Sequence, residues 1–201
     1  MTDSDAALQR LKDGNARYRS GQPMHPGFDA SRRRETAEHG QRPFATVIAC
    51  SDSRVPVEII FDQGIGDVFT VRVAGNVCGL DAIGSIELGV DYLETPLLVV
   101  LGHSQCGAVT AALTGAELHG SIPALLDRIR PAVERAKLSH PLQHGEELVP
   151  AAVEANVWQS IEDLMRNSPA TRRRAAAATL KVVGAVYHLE DGRVEWLGEY
   201  R

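Results

Sequence analysis

The sequence predicts an α/β fold, a mostly parallel central β-sheet flanked by helices, and three observations carry that expectation. Short apolar, β-branched runs recur along the chain, segments of helical rhythm separate them, and the alternating order demands the crossovers of a parallel sheet. The length of 201 residues suits one domain, 1–201.

Taken in order, residues 1–40 contain no strand. They read as two weakly amphipathic helices joined by the loop GQPMHPG, an N-terminal helical arm with no sheet partner of its own. Such an arm is expected to cover another surface, that of a partner subunit. Strands follow at 44–49, 68–73, 97–101, 180–189 and 193–198, each short and rich in Val, Ile or Leu. Between them, helical patterns occupy 55–61, 82–93, 108–113, 122–138, 151–167 and 171–178. The dipeptide Asp191-Gly192 predicts a tight antiparallel hairpin joining the last two strands at one edge of the sheet.

Composition narrows the function. A net charge of -5 and a pI near 5.8 give no general attraction for polyanions. The one basic cluster, Arg172 to Arg174, lies in an Ala-rich helical stretch and reads as a solvated face, so no nucleic acid is expected as a partner. The longest apolar stretch, 96–102, is far too short to span a membrane, and no membrane partner is expected. The start of the chain is polar and acidic, without the basic-then-apolar layout of a secretory signal, which favours the cytoplasm. Three cysteines, at 50, 78 and 106, are too few and too scattered for a disulfide framework. Reduced thiols that bind metal or pack in the core are the alternatives.

Ligands of such sheets bind at the carboxyl ends of the strands, and two of these strands run into polar clusters there. The first is ACSDSR, Ala49 to Arg54; the second is GHSQCGA, Gly102 to Ala108. Singly, the first reads as a turn capped by Ser and Asp, and the second as a core histidine with a buried thiol. Together, at two strand ends, Cys50, His103 and Cys106 form a soft to borderline donor set that suits tetrahedral Zn²⁺ and leaves a fourth position open. Zn²⁺ lowers the pKa of bound water to ~7, giving a hydroxide nucleophile at neutral pH. Asp52 is either a fourth ligand or a carboxylate drawn away by Arg54, and both states are chemically sound. Cys78, near a Gly-rich turn and without a second donor nearby, is structural. Arg72 lies in an apolar strand and needs a partner if buried, a structural salt bridge or a subunit contact.

These clusters identify a resemblance: the chain is similar to the β-class carbonic anhydrases, which carry C-x-D-x-R and H-x-x-C. Here they stand as CSDSR and HSQC, with VRVAGN at the second strand, and the likeness runs from about Gln41 to Gly115 with a weaker echo at 182–192. The resemblance implies Cys50, His103 and Cys106 as zinc ligands and Asp52 and Arg54 as a catalytic dyad. It implies reversible hydration of CO₂ to bicarbonate and a proton. It further implies a substrate pocket across a dimer interface, with Gln41 as its polar contributor, as in plant-type members, and Phe69, Ala74 and Gly107 lining it. Leu88 stands where those members commonly carry a tyrosine after the glutamate equivalent to Glu87. The expected assembly is a homo-oligomer, a dimer or dimer of dimers. Some bacterial members hold regulatory bicarbonate with a tryptophan, an arginine and a tyrosine; Arg72 and Tyr187 match, but Val47 replaces the tryptophan, so that inhibition is expected to be weak or absent. A carbonyl sulfide or carbon disulfide hydrolase on the same scaffold, and a non-catalytic zinc-containing binding protein, are the alternatives.

Overall fold

A computed structural model of the chain describes residues 3–200. One five-stranded sheet organises it: β1 (Ala45–Ala49), β2 (Val68–Arg72), β3 (Leu97–His103), β4 (Lys181–Tyr187) and β5 (Val194–Glu199), in the order β2-β1-β3-β4-β5. The first four strands are parallel, and β5 closes one edge antiparallel to β4. β1 and β3 are buried along their whole length, which explains their unbroken apolar sequences: a parallel strand covered on both faces has no polar side to alternate with.

Residue alternation divides the core into two layers. Ile48, Val100, Val182 and Val186 face a cluster completed by α4 (Leu80–Glu87), α5 (Gly107–Thr114), α6 (Ile122–Ser139) and α7 (Val149–Asn167). Val47, Ala49, Val99, Leu101 and Val183 face the other way, onto α1 (Asp3–Arg19) and α3 (Val57–Ile60). The remaining helices are α2 (Ala30–His39) and α8 (Pro169–Ala176).

The structure departs from the sequence expectations at four places. First, α1 packs on its own sheet. Leu11 is fully buried among Val47, Val99 and Phe61, and the buried Asn15 bonds the Ile60 and Gly192 carbonyls and receives the Val194 N–H. The face of α1 that carries Ala7, Leu11 and Asn15 is therefore covered within the chain. In α2, by contrast, no residue is buried. Second, β3 continues to His103, because Gly102 and His103 keep their register with Val186 and Tyr187. Gly102 permits this: a Cβ there would lie 2.7 Å from Val157 Cγ2 of α7. Third, the segment expected as one helix over 82–93 is α4 followed by a π-helical turn, Leu88–Tyr92, where the Gly89 carbonyl is taken by the Thr95 N–H and hydroxyl. Fourth, the Asp191-Gly192 hairpin is wider than a two-residue turn. Asp191 accepts the Arg193 N–H, Gly192 sits at φ 72, and strand pairing resumes only where the His188 N–H meets the Arg193 carbonyl.

Candidate metal centre

β1 and β3 are hydrogen-bonded neighbours, so their carboxyl ends deliver Cys50 and His103 to one place. Two residues after His103, Gln105 adopts φ 55, which turns the chain back and makes Cys106 the N-cap of α5. The three donor atoms lie within 4.8 Å of one another, and all three residues are buried. His103, with no solvent exposure, bonds through Nδ1 to the Ser104 carbonyl at 2.9 Å. That contact makes Nδ1 the protonated nitrogen and leaves Nε2 as the donor atom. Nε2 is buried without a hydrogen-bond partner, the condition of an atom whose partner is a metal. A Cys-His-Cys set with an orphaned imidazole nitrogen fits a tetrahedral zinc with an open position.

Around the donors stands a set of backbone amides and arginines. Cys50 Sγ accepts the N–H groups of Asp52 at 3.4 Å and Gly75 at 3.2 Å. A hydrogen bond from Cys106, with further help from these amides, holds the Cys50 thiol well below its ordinary value against the opposing effect of burial. The same pairing pushes Cys106 up, and burial adds to it. Arg54 grips Asp52 through two parallel bonds, Nε to Oδ1 at 2.9 Å and Nη2 to Oδ2 at 2.8 Å, and the Arg54 N–H adds a third to Oδ1 at 2.9 Å. That grip keeps the Asp52 carboxyl below the usual carboxylate range, and in return raises Arg54. Asp52 Oδ2 lies 3.9 Å from His103 Nε2, beside the donor cluster, with both its oxygens engaged by Arg54.

The other sequence candidates are placed as follows. Ala74 opens the 74–76 turn against Cys50, and Gly107 is exposed directly after Cys106. Phe69 is half-buried on β2, Leu88 is exposed at the start of the π-helical turn, and Gln41 is exposed in the segment before β1. Cys78 is a core residue, its thiol pushed up to about 12 by burial. Arg72 is not buried, and its partners are carbonyls rather than an acid: Nε bonds Cys50 O at 3.1 Å and Nη2 bonds Asp52 O at 2.6 Å. It therefore braces the CSDSR loop. Sequence reasoning missed the roles of the Ser104 carbonyl and the Gly75 amide, although the Gly-Asn pair in VRVAGN signals an unusual turn. A cavity of about 1060 Å³ forms a groove between α6, α7 and the β4–β5 hairpin; it reaches Ser104 and Gln105 but none of the three donors.

Fold and site together define an α/β protein with a cysteine-histidine centre, able to hold a metal, at the carboxyl edge of a parallel sheet. Comparison with known proteins makes the class specific. Residues 45–194 match the family described as carbonic anhydrase. A carbonic anhydrase of Mycolicibacterium smegmatis is 42% identical over 195 residues, covering 94% of this chain and 91% of the relative. Carbonic anhydrase 2 of Mycobacterium tuberculosis H37Rv is 43% identical over 194 residues, covering 96% and 92%. Among solved structures, the β-carbonic anhydrase CafA of Aspergillus fumigatus superposes with TM-score 0.74 at 29% identity, covering 96% of this chain and 89% of its own. One described as tetrameric, from Sordaria macrospora, gives TM-score 0.72 at 25% identity and covers 100% of both chains. The chain belongs to the β-class carbonic anhydrases, and as an enzyme it is a lyase.

Proposed function

We propose that the chain catalyses the reversible hydration of CO₂ to bicarbonate and a proton, with Zn²⁺ held by Cys50 Sγ, His103 Nε2 and Cys106 Sγ. The observation that carries this reading is the coincidence of three buried donors, one with an orphaned nitrogen, and an aspartate fixed beside them without being one of them. When bound, Zn²⁺ lowers the pKa of a coordinated water to ~7 and so supplies a nucleophile at neutral pH.

The chain's own residues do the rest. Ser104 fixes the His103 tautomer. Asp52, ionised and held by Arg54, is an acceptor only; it takes a hydrogen bond from the attacking oxygen and turns that oxygen's lone pair toward carbon. Because Arg54 occupies both Asp52 oxygens, the carboxylate is kept as orienter rather than as a fourth ligand, which disfavours a permanently closed, non-catalytic site. CO₂ is apolar, and Phe69, Ala74, Leu88 and Gly107 offer it an apolar wall. Gln41, exposed in the single chain, joins that pocket from a second copy in a dimer or dimer of dimers. A cytoplasmic location suits three cysteines that are all free thiols.

Regulatory bicarbonate has no evident seat at the Val47 position. Val47 is fully buried, Arg72 is engaged with backbone carbonyls, and the Tyr187 hydroxyl pairs with Tyr18 at 3.2 Å. The test of the whole reading is metal analysis with stopped-flow CO₂ hydration across pH. One zinc per chain and turnover that rises toward alkaline pH are expected; a zinc-loaded chain silent at every pH would overturn it.

A further inference from the structure

The three donors leave unexplained a buried amide that stands behind one of them. Asn156, 1% exposed, lies in the middle of α7, where its neighbours Val153, Val157 and Ile161 are apolar core residues. A polar side chain in such a place is destabilising unless it makes hydrogen bonds, so the bond it makes is informative. Asn156 Nδ2 donates to the Gly75 carbonyl at 2.8 Å, across 81 positions of sequence. The N–H of that same Gly75 donates to Cys50 Sγ at 3.2 Å.

We propose that Asn156 is a positioning residue of the metal centre, clamping the 74–76 turn so that the Gly75 N–H stays aimed at the Cys50 sulfur. The proposal rests on the reading of Cys50 as a metal ligand. The turn is strained, since Gly75 at φ 64 and Asn76 at φ 46 are consecutive left-handed residues, and the second is not glycine. Its entry is fixed by Val73 N–H on the Ala49 carbonyl and its exit by Asn76 N–H on the Val73 carbonyl. Its middle is fixed from α7 by Asn156. The turn is also pressed onto α6: a Cβ on Gly75 would lie 2.7 Å from Ile129 Cδ1, so the residue that offers its N–H to sulfur has no room for a side chain. An N–H directed at a ligand thiolate draws charge from the sulfur and fixes its orientation, and partners of this kind change metal affinity by about 10–100-fold when removed.

The test uses the full-length metal-loaded protein and Asn156→Leu, which keeps the side-chain size and removes the donor. Zinc affinity of the variant is expected to fall about tenfold or more, and in the Co²⁺-substituted protein the sulfur-to-cobalt charge-transfer band is expected to move to longer wavelength as the sulfur becomes richer in electrons. A folded variant with wild-type affinity and an unmoved band overturns the role of Asn156. Folding of the variant is checked by circular dichroism, and a second measurement needs no variant. In wild-type protein loaded with ¹¹³Cd, the Gly75 amide proton is expected to show scalar coupling to the metal through Cys50 Sγ; its absence overturns the proposal as well. A wild-type chain that binds no metal refutes instead the reading of the centre on which the proposal stands.

Discussion

Asp52 carries its charge beside a buried donor cluster with both oxygens held by Arg54, and removing only that charge separates its two conceivable roles. Asp52→Asn keeps the side-chain shape, so metal content should stay at the wild-type level. CO₂ hydration should fall by roughly a hundredfold or more, the range for losing a group that orients a reacting atom. Near-wild-type turnover would refute the role given to Asp52. Arg72 provides a second test at this scale. With its guanidinium on the Cys50 and Asp52 carbonyls and Val47 packed in the core, bicarbonate should inhibit only as a weak product. Steady bicarbonate inhibition that vanishes in Arg72→Ala would overturn that expectation. The gathering of Cys50, His103 and Cys106 and the pairing of Asp52 with Arg54 were legible in sequence because each motif is local and stands at a strand end. The partners of Arg72 and Asn156 were not legible, because a backbone carbonyl has no sequence signature and 81 positions separate Asn156 from Gly75.

Elements were legible wherever burial was two-sided, since β1 and β3 could only be read as apolar runs. The surface that α1 covers within the chain was not legible, because weak amphipathicity does not name it; what decides it, Leu11 in one core layer with Val47 and Val99 and Asn15 bonded to the hairpin, is all long-range. α1 is therefore integral to the fold. Leu11→Ala should destabilise the chain by about 2–5 kcal/mol, the usual range for a fully buried leucine, as read by urea unfolding; a change under a few tenths would return α1 to the status of a detachable arm. Asp62 ties α1 to the following loop. Its side chain is fully buried and bonded to Arg17 and to the N–H groups of Met24 and His25. Burial opposes its ionisation, but those donors prevail and its pKa is lowered. A lowered folded-state pKa means that the unfolded chain binds more protons in the acid range. Its stabilisation is thus full above the unfolded value of ~3.9 and lost as pH falls through the folded one. The melting-temperature gap between wild type and Asp62→Asn should be largest near neutrality and shrink below about pH 4; a gap independent of pH would exclude the charge as its source.

The whole molecule carries an apolar face that no other described residue covers. Leu80, Gly84 and Leu88 follow one another at helical spacing, and Leu80 is 82% and Tyr92 81% exposed, on the segment that packs against Phe69 through Gly89. Large apolar residues in solvent mark an interaction surface, and this one adjoins Phe69 and includes Leu88 of the proposed substrate wall. The proposed second copy would cover this face and bring its Gln41 to the pocket. The double variant Leu80→Asp, Tyr92→Asp alters neither a donor nor a pocket residue. It should shift the protein toward monomer in light scattering after size exclusion, keep its zinc, and lose most CO₂ hydration. A zinc-loaded monomer with full activity would show that the pocket is complete within one chain, and would remove the reason for placing Gln41 across an interface.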